Sequence, residues 1–289
     1  MIKRHGTNSI LIDYGKQLSG SVNELFFCSD IHLDNIGCDR NLFKSDLQRA
    51  KDRGAYIFIF GDLMDLMQGK YDPRSNKSIL MNQHKSESYL LDVINDCYEF
   101  LLPFKDNLAV ISDGNHETSV AKRIEFNPLF LLCEKLRQSG SKVEHLPYQG
   151  WVLLRSSFGN SKDVLSNIMT RRIFYSHGNF HGQVSLGTQA IRRYAAVANA
   201  DIFVSGDNHE RWTAGHAVYD LKSNGEQTTY QQVHIKTGTY KDEFKTGSGF
   251  AAERLAMPKC LGGTFVKLTI VKPAAGKDWL IDVENRFVR

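Results

Sequence analysis

Five short segments constrain this chain more than any other feature: Asp30-Ile31-His32, Gly61-Asp62-Leu63-Met64-Asp65, Gly114-Asn115-His116-Glu117, His177-Gly178 and Gly206-Asp207-Asn208-His209. Each is rich in side chains that bind cations or carry protons. Four follow on a run of β-branched, aromatic or aliphatic residues, namely Leu25-Phe26-Phe27, Tyr56 to Phe60, Ile173-Phe174-Tyr175 and Ile202-Phe203-Val204. The fifth follows Leu108 to Ile111 after a two-residue gap. Such runs read as strands. Open α/β sheets hold their ligands off the carboxyl ends of the strands. Asp, Asn and His repeated at those ends predict an α/β fold built around a metal-assisted hydrolytic centre.

The intervening pattern fits that fold class. Leu42, Phe43, Leu47 and Ala50 recur at helical spacing over about 41–53, where Gly54 closes the segment. Further helices are predicted over 86–102, 119–124, 128–138 and 188–199. Strands are predicted near 142–145 and 151–155, then over 211–219, 229–236, 264–271 and 279–283. The polar stretch 68–85 and the glycine-rich stretch 246–263 read as long loops and candidate lids. No repeat, low-complexity linker or charge block marks a boundary, so one domain spanning 1–289 is expected.

Composition excludes several classes. A formal charge of +4 and a pI near 8.7 tolerate an anionic substrate without demanding nucleic acid. The five cysteines are scattered and form no C-x-x-C pair, which argues against a disulfide framework or a cysteine-rich zinc site. The start, Met1-Ile-Lys-Arg-His-Gly, is charged and lacks the apolar core of a secretory signal, and no run is long enough for a membrane span. A reducing, cytoplasmic setting is the expectation.

Hydrolysis of a phosphate ester requires charge neutralisation on oxygen, hydroxide at neutral pH and a proton for the leaving group. Two cations sharing a carboxylate roughly 3.5–4 Å apart can supply the first two, and a positioned imidazole the third. In their order and spacing the five segments resemble the motifs of the calcineurin-like metallophosphoesterases, over about Phe27 to Arg211. The resemblance implies a four-layer αββα sandwich with two divalent metals at the ends of its central strands. It implies that Asp30, His32 and His209 hold the first metal, that Asp62 bridges both, and that Asn115 and His177 hold the second. His116 matches the imidazole that protonates the leaving oxygen, and Asp65 would accept a hydrogen bond from it.

One position departs from the family pattern, which has Gly-His-x-His where this chain has Gly206-Asp207-Asn208-His209. An Asp ligates through oxygen, so Asp207 as a ligand makes the second site harder and favours Mn²⁺ or Mg²⁺ over Zn²⁺. Two alternatives stand beside this: Asp207 binds nothing and the second site is weak, or His181 takes its place. Asn35, Arg40 and His181 lie in motif loops and are the candidate substrate-binding residues. The segment Ser29-Asp-Ile-His-Leu33 is similar to the prokaryotic phosphodiesterase and pyrophosphatase branches, and the Arg-Gly pairs of the protein phosphatases are missing. Phosphodiester hydrolysis of a nucleotide or nucleic acid is the expectation, with phosphomonoester hydrolysis as the alternative. A non-catalytic binding module on the same fold is the third reading, and retention of the ligand set weighs against it.

Overall fold

The computed structural model describes residues 1–68, 75, 79–158, 168–178, 185–244 and 256–271, and the backbone of a last strand at 280–287. Most of the candidate lid segments, 69–74, 76–78 and 246–255, lies outside the described residues, as does His181. The strands are β1 (Ile2–Gly6), β2 (Ser9–Gln17), β3 (Val22–Cys28), β4 (Tyr56–Phe60), β5 (Leu108–Ser112), β6 (Glu144–Leu146), β7 (Gln149–Phe158), β8 (Ile168–Ser176), β9 (Ile202–Ser205), β10 (Arg211–Leu221), β11 (Gln227–Thr237), β12 (Thr264–Val271) and β13 (Leu280–Phe287). The helices are α1 (Arg40–Asp52), α2 (Tyr89–Leu101), α3 (Asn115–Ile124), α4 (Pro128–Gln138) and α5 (Gln189–Val197).

These strands build two mixed sheets, ordered β1-β2-β7-β8-β9-β11-β10 and β13-β12-β3-β4-β5-β6. Alternation along each strand decides what lies between them. Phe27, Phe58 and Phe60 face inward and meet Ile173, Tyr175, Ile202 and Val204 from the other sheet. Their neighbours Phe26, Ile57 and Ile59 face outward, against Phe43 and Leu47 of α1, Val93 and Ile94 of α2, and Leu132 and Leu136 of α4. Phe174 and Phe203 point outward from the seven-stranded sheet to Ala190 and Tyr194 of α5. The result is an α/β sandwich of four layers, helices on sheet on sheet on helix.

The motif-bearing strands end side by side. β3, β4 and β5 run parallel in one sheet, and β8, β9 and β11 run parallel in the other. Backbone pairing continues past the strand ends: Asp30 N–H donates to Gly61 O at 3.1 Å and His32 N–H to Asp62 O at 3.0 Å. Gly206 N–H donates to His177 O at 2.8 Å, and Tyr240 N–H to Asp30 O at 3.0 Å. The loops that carry the site are thereby laced to one another.

Candidate metal centre

Six of the predicted ligands come together in one cluster. Asp30, His32 and His209 form one group whose ligand atoms all lie within 4.8 Å of one another, and Asp30, Asp62 and His177 form a second. His177 Nε2 stands 3.2 Å from Asp62 Oδ2 and 3.0 Å from Asn115 Oδ1. His209 Nε2 stands 3.5 Å from Asp30 Oδ1. Donors sharing a cation at about 2.1 Å stand about 3.0 Å apart at right angles and about 3.4 Å apart in a tetrahedron. The cluster has that spacing.

Asp207, the seventh predicted ligand, is tied to the cluster through its main chain. Its backbone N–H donates to both carboxylate oxygens of Asp30, at 3.1 and 3.0 Å. Its charge raises the pKa of both Asp30 and His177, yet it belongs to neither group of converging ligand atoms. The orientation of the 206–209 turn toward Asp30 is therefore fixed by main chain.

The backbone shows how tightly the arrangement is held. Eight non-glycine residues among those described have positive φ, and five are candidate ligands: Asp30 (53°), His32 (50°), Asp62 (51°), Asp207 (73°) and His209 (59°). Left-handed backbone costs about 1–2 kcal/mol per residue for side chains with a Cβ, and such strain collects at functional sites. Two glycines are required by close approach. A Cβ on Gly114 would stand 2.1 Å from Asp62 Oδ1, and one on Gly206 would stand 2.4 Å from Asp30 Oδ2.

Hydrogen bonds fix which ring nitrogen of His177 and of His116 faces the centre. His177 Nδ1 lies 2.8 Å from the Phe60 carbonyl, which can only accept, so Nε2 is the atom that faces Asp62 and Asn115, carrying a proton in the metal-free protein and free to face a cation once that proton leaves. His32 Nδ1 lies 2.9 Å from Asp65 Oδ1 as an ion-pair contact, although neither buried ring nitrogen makes a well-aligned hydrogen bond, and Nε2 has no neighbour of this kind. A buried imidazole nitrogen without a partner beside two carboxylates fits a cation ligand. His116 Nδ1 hydrogen-bonds the Asp65 carbonyl oxygen, leaving Nε2 3.7 Å from Asp62 Oδ2. Asp65 accepts from His116, as expected, but through its carbonyl, while its carboxylate lies against His32.

Burial and charge divide the ionisable groups. Burial pushes Asp30 up to about 6, with His177 pulling the other way. Burial also opposes ionisation of Asp62, but His177 and His116 hold its carboxyl well below the carboxylate range. Asp65 is held low against its burial by His32 and Lys241. Burial and Lys241 depress His32 to about 4, and burial and His32 keep His209 well below its ordinary value. His177 goes the other way: Asp62 and Asp30 overcome its burial and raise it to about 10. Packed carboxylates with a proton on the one imidazole between them are what a divalent cation would relieve.

Several residues around the centre carried no assignment in the sequence. Glu117 accepts from the N–H groups of Asp62, Met64 and Gly114 at 3.2, 3.0 and 2.9 Å, tying the second motif to the third. Burial and Asp62 push its carboxyl up to about 8. Asp34 accepts from Asp65 N–H at 2.5 Å, Leu66 N–H at 3.1 Å and the Tyr89 hydroxyl at 2.6 Å. Lys241 Nζ lies 3.4 Å from Asp65 Oδ1. Glu117 was signalled by its place inside a motif segment, whereas Asp34, just beyond one, and Tyr89 and Lys241 had no signal.

Two of the three predicted substrate-binding residues, Asn35 and Arg40, are engaged in the protein itself. Asn35 Nδ2 donates to Asp65 Oδ2 at 3.0 Å while its Oδ1 accepts from Gly37 N–H. Arg40 forks onto Asp96 at 2.6 and 2.8 Å, and Asp96 also meets buried His84 at 3.0 Å. That arrangement clamps α1 to α2 and to the segment around His84.

No protein-family model matches the sequence, and no curated protein matches it. Similar solved structures include Vps29 from Cryptosporidium parvum, 14% identical over 92% of this chain and 99% of that one, with a TM-score of 0.38. A metallophosphoesterase from Sphaerobacter thermophilus is 12% identical over 92% of this chain and 88% of that one, with a TM-score of 0.36. GAP50 of Plasmodium is 12% identical over 92% of this chain and 84% of that one, with a TM-score of 0.39. Likenesses of this size carry no argument about what this chain does. The site has to speak through its own geometry.

Proposed function

We propose that this chain is a metal-dependent phosphoesterase, acting first on phosphodiester bonds of a nucleotide or nucleic acid. One observation carries the reading. Donors from five separate strand ends meet in a buried, strained cluster whose spacing suits cations and whose His32 Nε2 lacks a partner. Asp30, His32 and His209 would hold one cation, and Asn115 and His177 a second, with Asp62 between them. Asp207 is the candidate to complete the second set. An oxygen-rich second set favours Mn²⁺ over Zn²⁺.

When bound, a divalent pair offsets charge on a phosphoryl oxygen and makes water nucleophilic at neutral pH. The chain's own residues do the rest. The Asp65 carbonyl fixes the proton of His116 on Nδ1, so Nε2 is the atom that exchanges a proton with substrate. His116 N–H also donates to Asp62 Oδ1 at 3.1 Å, which locks the ring's helix to the shared carboxylate. His116 lies in the first turn of α3, where backbone N–H groups favour developing negative charge.

The test is hydrolysis of bis(p-nitrophenyl) phosphate and p-nitrophenyl phosphate with Mn²⁺ and with chelator. Metal-dependent diester cleavage is expected, reduced about 10²–10⁴-fold in His116→Ala with metal content retained. Cleavage of the monoester alone would establish the phosphatase alternative. Bound metal with no cleavage of either ester would sink the catalytic reading.

A further inference from the structure

Beside the centre lies a cleft of ≈ 170 Å³, with Lys241, Asp242, Glu243 and Phe244 on one wall and Lys259 and Leu261 on the other. Its two lysines lead back to the site. Lys241 sits 3.4 Å from the Asp65 carboxylate, and Asp65 is the residue whose carbonyl holds His116. Lys259 is ion-paired with Glu210, the residue that follows His209. The cleft therefore adjoins the His32, His116 and His209 side of the centre, where a leaving group protonated by His116 would emerge.

Both walls are anchored. Asp242 N–H donates to Gly37 O at 2.9 Å, and Lys241 bridges Cys38. Opposite, Leu261 bridges Thr239, its carbonyl accepts from Arg211 Nη1 at 2.5 Å, and Gly262 N–H donates to Thr239 O at 2.9 Å. The cleft is a feature of the fold and does not await a ligand to form it.

Its lining selects against most occupants. Lys241 and Lys259 are already matched by Asp65 and Glu210, and Asp242 and Glu243 add two carboxylates. Such a cleft gives a second phosphate no net attraction. Phe244 and Leu261 offer an apolar contact from each wall, and the carboxylates accept hydrogen bonds from amine, imide or hydroxyl groups. A cavity of about 150 Å³ takes up one benzene ring, so this volume suits one small ring system. A flat, uncharged ring system with N–H donors describes the base of a nucleoside, whose ribose would lie at the open mouth of the cleft.

We propose that this cleft is the leaving-group subsite, and that it takes the nucleoside released from a nucleoside phosphodiester, with its base on Phe244. The role rests on the phosphoesterase reading, but the binding does not. Adenosine titrated into the protein and followed by saturation-transfer NMR is expected to bind. Binding should weaken about 10-fold in Phe244→Ala, as expected for the loss of an aromatic platform, and persist in Asp62→Ala. With adenylyl-(3′→5′)-adenosine, Phe244→Ala should raise KM about 10-fold and leave kcat unchanged. Melting temperature checks that the variant is folded. Failure of adenosine to bind the wild type, or equal binding by Phe244→Ala, overturns the proposal. A wild type that binds adenosine through Phe244 yet cleaves no diester would overturn the phosphoesterase reading and leave the nucleoside site standing.

Discussion

The two halves of the centre are built from the same residue types and prepared in opposite ways. On the side of Asp30, His32 and His209, burial and Lys241 drive both imidazoles toward the neutral form. On the side of Asp62, Asn115 and His177, two carboxylates overcome burial and raise the imidazole to about 10. The first half offers lone pairs at neutral pH. The second holds a proton where a cation would go. The contrast teaches that a cation and a proton compete on one side only, and that the shared carboxylates set which side that is.

Removing the shared carboxylate should break the comparison outright. Asp62 lies 3.2 Å from His177 and 3.7 Å from His116, and it is the largest anionic influence on His177. Asp62→Ala is expected to lose bound metal and to bring turnover to background, beyond the roughly 10²–10⁴-fold loss expected for His116→Ala. Elemental analysis of both variants checks it. A metal-free His116→Ala together with a fully loaded Asp62→Ala would reverse the assignment.

Single-side variants sharpen the contrast. His32→Ala should lose one equivalent of metal and His177→Ala the other, because each ring faces a different group of ligands. Protons should tell the halves apart as well. Titration calorimetry at pH 8 in buffers of different ionisation enthalpy should show about one proton released per cation on the His177 side. The His32 side should release about none. Affinity on the His177 side should fall about tenfold per pH unit as pH drops below 10. The same shift acts on the metal-free fold. Its pKa being raised by folding, His177 contributes stability that is fully present below about 6.5 and is lost as pH rises through 10. A metal-free protein whose melting temperature does not fall over that window would contradict the raised value.

Much of this was legible in the sequence, for reasons particular residues make plain. The strand at Tyr56–Phe60 and the helix at Pro128–Gln138 lie where the pattern put them, because the first buries a continuous apolar run before Gly61 and the second buries Leu129, Leu132, Cys133 and Leu136 at helical spacing before Gly140. The strands β1 and β2 were not foreseen. In β1, Lys3, Arg4 and His5 are exposed, and β2 pairs with β7 through Ser9 and Trp151, a partnership no local period reveals. Asn115 and His116 fall ahead of the helix expected over 119–124 but open α3, since Glu117 reaches back to Gly114 and starts the helix there. The ligand types were legible because metals need particular side chains. The work of Asp65 was half hidden, because a carbonyl oxygen looks the same in every residue.

The smallest expected effect tests that hidden half. Asp65 holds two imidazoles of the centre, His116 through its carbonyl and His32 through its carboxylate. Asp65 is itself held by Asp34, and Asp34 accepts from the Tyr89 hydroxyl on α2. Tyr89→Phe removes one hydroxyl at a distance from the centre and leaves every ligand in place. Outer hydrogen-bond partners of a site typically contribute about 10–100-fold, and this one acts through two intermediaries, so the low end is expected: kcat down about 10-fold, KM and metal content unchanged. The imidazole ¹⁵N shifts of His116 separate positioning from mere stability, because a loosened Asp65 carbonyl lets the proton divide between Nδ1 and Nε2. A variant that melts earlier but keeps the wild-type tautomer and kcat would show Tyr89 to be a fastening of α2 alone.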